Sequence, residues 1–179
     1  HGTQAIEKEL IEICAVDILN GKPDEQDGYV ASGGTEANMQ AIWMYRNLFQ
    51  KNSGAKAEEI CIMASEDAHY SIDKAANVLG ISIYKVAVTF DKREISQESV
   101  EEALAKAVSD RKKYFIIVAN MMTTMFGSVD NPSLYTDALK AKGLDFRLHI
   151  DGAYGGFYFP FSGVDHQLNF QNPDVSSVT

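Results

Sequence analysis

Four short clusters of residues carry side chains able to do chemistry. The most informative is His149-Ile150-Asp151-Gly152-Ala153-Tyr154-Gly155-Gly156-Phe157, in which Asp151 ends the alternating run Phe146-Arg147-Leu148-His149-Ile150. An ionised carboxylate only accepts hydrogen bonds, so an acid at a strand end beside small residues suits a flat, protonated heteroaromatic ring pressed against the backbone. His149 lies two residues before the acid, so both side chains fall on one face of a strand. Packing is the favoured reading of His149, with a hydrogen bond behind the acid as the alternative.

The other three clusters lie upstream. Ser32-Gly33-Gly34-Thr35-Glu36-Ala37-Asn38 is a glycine turn entering a helix, where backbone N–H groups and the helix dipole favour an anion and Thr35 adds a hydroxyl. It is neither a Walker A loop nor a Gly-x-Gly-x-x-Gly fingerprint. A turn that only packs a helix tightly is the competing reading. In Ser65-Glu66-Asp67-Ala68-His69-Tyr70-Ser71, the ring of His69 can stack on a planar ligand or simply hydrogen-bond at a helix start. Thr123-Thr124-Met125-Phe126-Gly127 offers hydroxyls, against the alternative of ordinary turn chemistry.

The elements that must position these clusters alternate along the chain. A helix is predicted over Thr3 to Leu19, with Ile6, Leu10, Ile13 and Cys14 on one face, ended by Gly21-Lys22-Pro23-Asp24. A short strand, Tyr29-Val30-Ala31, leads into the glycine turn and a helix from Glu36 to Gln50. The apolar run Ile60 to Ala64 reads as a strand buried on both faces. A helix from Ser71 to Leu79 and a strand from Ser82 to Val86 follow. Ser99-Val100-Glu101-Glu102 has the capping-box pattern of a helix running to Val108. Tyr114 to Ala119 is another buried strand, and a helix from Pro132 to Lys142 stops at Gly143 before the Asp151 strand. Strand and helix alternate without hairpin signals, which predicts an α/β fold with a doubly wound, mostly parallel sheet and flanking helices. Ligands of such sheets sit beyond the carboxyl ends of the strands, and four strand ends are expected to bring the four clusters to one rim.

Composition narrows the function classes. The 179 residues fit one domain or most of one. With 16 basic against 25 acidic residues, the net charge of −9 argues against nucleic acid or an anionic membrane as partner. No apolar run approaches the ~20 residues of a membrane-spanning helix. The opening residues are polar and carry no signal-peptide pattern, and the two cysteines, Cys14 and Cys61, read as buried thiols rather than a disulfide or metal site. A cytoplasmic location is the expectation, and no metal site is expected.

On these motifs the chain resembles the group II pyridoxal-phosphate-dependent amino-acid decarboxylases, enzymes of the aspartate-aminotransferase type fold (fold type I). The similarity is carried by Ser32-Gly33-Gly34-Thr35-Glu36-Ala37-Asn38, His69, Thr123-Thr124 with Gly127 and Asp130, and the Asp151 motif through Phe159-Pro160-Phe161. The last motif is most similar to the glutamate-decarboxylase branch, and the glycine turn to tyrosine and aspartate decarboxylases. The resemblance implies pyridoxal 5'-phosphate as cofactor and catalytic roles for His69 and Asp151. It implies cofactor contacts from Gly34 and Thr35 to the phosphate and from His69 to one ring face. It further implies that Thr124 helps hold the cofactor and the acid, Asp151 holds the ring nitrogen protonated and Ala153 packs on the other ring face. An amino acid is the implied substrate and a homodimer the implied assembly.

The family also uses a lysine that joins the cofactor covalently, a few tens of residues after the acid. No lysine follows Lys142, and Asn172-Pro173-Asp174-Val175-Ser176-Ser177-Val178-Thr179 is similar to the approach to that lysine. Residues 1–179 are therefore expected to be part of the cofactor-binding large domain, ahead of the lysine, with the remainder of the enzyme as a partner and the isolated chain inactive. Fold relatives acting as aldehyde lyases or aminotransferases, and a non-catalytic module that keeps the cofactor cup, are the alternative readings.

Overall fold

The computed structural model describes residues 2–164 and 167–179. Five strands form one sheet: β1 (Ile60–Ser65), β2 (Ser82–Val86), β3 (Tyr114–Asn120), β4 (Asp145–Asp151) and β5 (Val175–Val178), in the order β2-β1-β3-β4-β5. Every pair of neighbouring strands is parallel. The helices are α1 (Gln4–Glu12), α2 (Gly34–Ser53), α3 (Tyr70–Leu79), α4 (Gln97–Ser109) and α5 (Pro132–Ala141). The α/β fold with a doubly wound parallel sheet, expected from the alternation, is the one observed.

The apolar runs explain the sheet's centre. β1 is buried along its whole length and β3 in all but its first residue, as parallel strands covered on both faces must be. Alternate side chains separate into two cores. Ile60, Ile62, Ala64, Ile116 and Val118 pack with Ala41, Ile42, Phe49, Ile72 and Ala75 from α2 and α3. Cys61, Met63, Phe115, Ile117 and Leu148 pack with Leu104, Ala107, Tyr135 and Leu139 from α4 and α5. The sheet is a middle layer between helices, and its strand order reverses between β1 and β3, the place where such folds bind ligands.

Several boundaries differ from the sequence expectation. Tyr29-Val30-Ala31 is not a strand: the Val30 N–H donates to a Glu7 carboxylate oxygen at 2.9 Å instead of entering a ladder. α2 starts at Gly34, directly after the glycine turn. The cap of α4 is Ser96 with Ser99 as its reciprocal partner, three residues ahead of the Ser99 pattern, because Ser96 has the extended backbone a cap requires. The first helix gives way to a π-helical turn at Ile13–Ile18. Its expected buried face is largely open, with Ile6, Leu10 and Ile13 exposed. Cys61 is fully buried and Cys14 only partly so, and both are free thiols.

β5 has no counterpart in the sequence expectation, because its run Val175-Ser176-Ser177-Val178 has little apolar pattern. It is held as an edge strand by β4, and a bulge between Leu148 and His149 places Ser177 opposite His149.

Candidate functional site

A cavity of about 300 Å³ opens at the carboxyl ends of β1, β3 and β4. That volume lies at the lower end of small-molecule sites. Its walls include Gly34 and Thr35 from the start of α2, His69 after β1, Thr124 after β3, and Asp151 with Ala153 at the end of β4. All six residues singled out from the sequence therefore meet in one place. Three strand ends converge here rather than four, since no strand precedes the glycine turn.

Local sequence explains each wall. Glu36, in the first turn of α2, accepts from the Ser32 N–H at 3.1 Å and from the Ser32 hydroxyl. These two hydrogen bonds hold the Glu36 carboxyl below its usual range and close the turn upon itself. The Glu36 and Ala37 N–H groups donate to the Gly33 carbonyl oxygen at 3.0 and 3.2 Å, which leaves those of Gly34 and Thr35, both on the cavity wall, without a partner inside the helix. Gly34 is required by packing: a Cβ on it would come within 2.7 Å of the Ala153 methyl carbon. Gly155 is required for the same reason, as a Cβ there would lie 2.2 Å from the Met121 carbonyl oxygen. The glycines thus let the β4 loop lie flush against α2 on one side and the end of β3 on the other.

Asp151 is almost wholly buried, and both its oxygens are engaged. Oδ1 accepts from the Ala153 N–H at 3.2 Å, and Oδ2 accepts from the Asn38 carboxamide at 2.8 Å. Thr124 lines the cavity, exposed to solvent, and takes no part in these bonds among the described residues. The acid is held by Asn38 instead, because α2 runs directly beneath the end of β4. His69 takes the helix-start role offered by the sequence and also lines the cavity. It caps α3, its Nδ1 accepting from the Ser71 N–H at 3.3 Å, while its ring forms part of the cavity wall.

His149 is not a packing residue. Its Nε2 lies 2.9 Å from Asn38 Oδ1 and its Nδ1 lies 2.7 Å from Ser177 Oγ. Burial lowers its pKa to about 4, so the imidazole is neutral at ordinary pH, with Asp151 opposing that shift. Asn38 closes the glycine-turn motif, but motif reading gave it no role of its own. One signal was present: α2 buries Asn38, Ala41, Ile42, Tyr45 and Phe49 on one stripe, and an asparagine in an apolar stripe needs a polar partner.

Among the described residues no helix is long and apolar enough to cross a membrane, and no group of His, Cys, Asp and Glu side chains could hold a metal.

Comparison with known proteins matches residues 7–179 to the family described as the pyridoxal-dependent decarboxylase conserved domain. A tryptophan decarboxylase of Clostridium sporogenes is 48% identical over 178 residues, which is 99% of this chain and 43% of that protein. A probable L-tyrosine/L-aspartate decarboxylase of Methanosarcina barkeri is 32% identical, covering 99% of this chain and 45% of its own length. The chain thus spans less than half the length of these relatives. Among solved structures, a sphingosine-1-phosphate lyase of Burkholderia pseudomallei superposes with a TM-score of 0.80 at 21% identity, over 99% of this chain and 40% of that one. A glutamate decarboxylase of Lactobacillus brevis gives a TM-score of 0.78 at 21% identity, over 99% and 41%. At these identities the superpositions establish the fold.

Proposed function

The chain belongs to the pyridoxal-dependent decarboxylase family, and from that premise we propose that it is the cofactor-binding part of an amino-acid carboxy-lyase. The observation that carries the reading is Asp151: an acceptor-only group with both oxygens fixed, at the floor of a cavity walled by His69, Ala153 and the start of α2. That donor and acceptor set fits pyridoxal 5'-phosphate, an anion at one end and a protonatable ring nitrogen at the other. Gly34 and Thr35 would take the phosphate, His69 and Ala153 the two ring faces, and Thr124 an edge. When bound, the cofactor supplies an electron sink for the bond between the substrate Cα and its carboxylate.

The chain's own residues would then do three things. Asp151 keeps a proton on the ring nitrogen, because ion pairing favours the charged form of both partners. His69 and Ala153 hold the ring plane, which orients the bond to be broken. The packing of Gly155 on Met121 and Met122 keeps the floor of the cavity rigid. The reading extends to residues 1–179 as the part of the large domain ahead of the lysine, with the lysine in the remainder of a cytoplasmic enzyme. A homodimer is part of the same proposal, supported by the exposed aromatic run Tyr154, Phe157, Tyr158 and Phe161, which begins at the cavity wall.

The test uses a polypeptide of the relatives' length that contains this chain, supplied with pyridoxal phosphate and L-tryptophan, L-tyrosine or L-aspartate. Release of carbon dioxide with an equal amount of amine is the expected result. Amino-group exchange with a keto acid, without carbon dioxide, would overturn the proposal in favour of an aminotransferase.

A further inference from the structure

Asn38 sits at a branch point of buried hydrogen bonds, and its orientation follows from chemistry. The Asp151 carboxylate can only accept, so the neighbour 2.8 Å from Oδ2 must be the amide nitrogen of Asn38. The amide oxygen then faces His149 Nε2 at 2.9 Å, which must carry a proton to donate. With the imidazole neutral, Nδ1 has a free lone pair and accepts from the Ser177 hydroxyl at 2.7 Å. Ser177 in turn accepts from the Tyr45 hydroxyl. The second N–H of the Asn38 amide donates to Ser71 Oγ at 3.1 Å. That leaves the Ser71 hydroxyl proton for His69 Nδ1, 2.9 Å away, and a neutral His69 then carries its own proton on Nε2.

We propose that Asn38 is the positioning residue of this site, its one carboxamide setting Asp151 as an acceptor and His69 as an Nε2–H donor at the same time. Tyr45, Ser177 and His149 form the chain that orients the carboxamide, so every donor along it points toward Asp151. A flipped carboxamide would set its oxygen against the Asp151 carboxylate and its N–H groups against His149 Nε2–H, leaving that proton only the Thr179 hydroxyl oxygen 3.2 Å away, so the alternative arrangement is disfavoured at both ends. The proton order is a property of this chain alone, and its consequence for the cofactor rests on the function proposed above.

The experiment reads imidazole nitrogen shifts and couplings in the ¹⁵N-histidine-labelled chain, which has four histidines. At neutral pH, His149 is expected as a single neutral tautomer protonated on Nε2, and His69 as the same tautomer when neutral. A His149 protonated on Nδ1 overturns the proposal without any variant. Asn38→Asp keeps the shape but opposes Asp151 with a second carboxylate. It is expected to draw a proton onto His149 and to release the fixed tautomer of His69. Ser177→Ala, which leaves Asn38 in place, is expected to let His149 exchange between tautomers. Unchanged signals from both histidines in a folded Asn38→Asp chain overturn the proposal. In the longer polypeptide, equilibrium dialysis of pyridoxal phosphate is expected to show affinity reduced roughly tenfold or more in Asn38→Ala, as for one lost hydrogen bond to a charged group. Altered tautomers with unaltered affinity would uphold the proton order and sink the cofactor reading instead.

Discussion

Asp130, in the loop after β3, and Asp151, the last residue of the neighbouring β4, are both buried and both accept from an asparagine carboxamide. On Asp130 a single oxygen, Oδ2, receives the Asn120 N–H at 2.8 Å and the Asn120 side chain at 2.7 Å. Its own N–H returns to the Asn120 carbonyl oxygen at 3.0 Å, so the pair staples the loop after β3 back onto the strand. Burial pushes the Asp130 carboxyl up to about 6, even with those donors. Asp151 divides its two donors between two oxygens and meets the cavity. The same pair of side chains thus makes a structural staple in one place and a presented acceptor in the other. What separates them is access: only the acid that reaches open space can meet a ligand.

The largest effect expected from this contrast is on activity. In the longer polypeptide, Asp151→Ala should lower kcat/KM by roughly a hundredfold or more, since losing one member of a buried charge pair costs ~3–5 kcal/mol. Asp130→Ala should reduce turnover per folded molecule far less. Comparable losses in the two variants would erase the distinction between staple and acceptor.

Stability should rank the two in the opposite order. Asp130→Ala removes the acceptor of the Asn120 backbone N–H and of one side-chain N–H, while Asn120 keeps Ser65, and is expected to cost about 2 kcal/mol in urea unfolding. Asp151→Ala should cost about 1 kcal/mol, because Asn38 keeps Ser71 and cavity water can replace the lost acceptor.

A third test uses pH. Asp130 titrates near 3.8 when unfolded and about 6 when folded. Between those values the native state keeps a proton that the unfolded chain releases, so this group's stabilisation is full below pH 4 and lost by pH 6. His149 titrates near 6.5 when unfolded and about 4 when folded, so its contribution runs the other way: it is full above 6.5 and lost as pH falls to 4. Each change amounts to about 3 kcal/mol, and in the wild type the two largely offset each other. Unfolding at pH 4.5 and 6.5 should therefore show stability rising with pH more steeply in Asp130→Asn than in the wild type. In His149→Gln it should instead fall with rising pH. Parallel profiles in all three proteins would show that neither site carries these shifts.

The smallest effect is expected at Tyr135, whose hydroxyl is fully buried near Asp130 and has no hydrogen-bond partner among the described residues. Tyr135→Phe removes an unsatisfied group and should change stability by less than ~1 kcal/mol, or increase it. A loss above ~2 kcal/mol would mean that the Asp130 staple extends to this hydroxyl.

Much of this architecture was legible because its causes are local. The apolar runs of β1 and β3, the glycine at the start of α2 and the acid ending β4 each follow from burial, backbone freedom or side-chain alternation within a few residues. Two local readings failed for equally physical reasons. Tyr29 to Ala31 looks like a strand, but strands need a neighbour, and Glu7 claims the Val30 N–H. Val175 to Val178 lacks a strand's apolar pattern, yet β4 pairs with it and makes it one.

The chain's residues alone determined the α/β class, the rim on which the site lies and six of its walls, since periodicity and turn chemistry act over short stretches. Tertiary structure alone decided how those walls are polarised. The partner of Asp151 is 113 positions away on α2, and the groups that orient that partner come from β4 and β5. A hydrogen bond requires donor and acceptor within about 3 Å and properly aimed, and only the packing of α2 beneath the end of β4 brings Asn38, His149 and Asp151 to that distance.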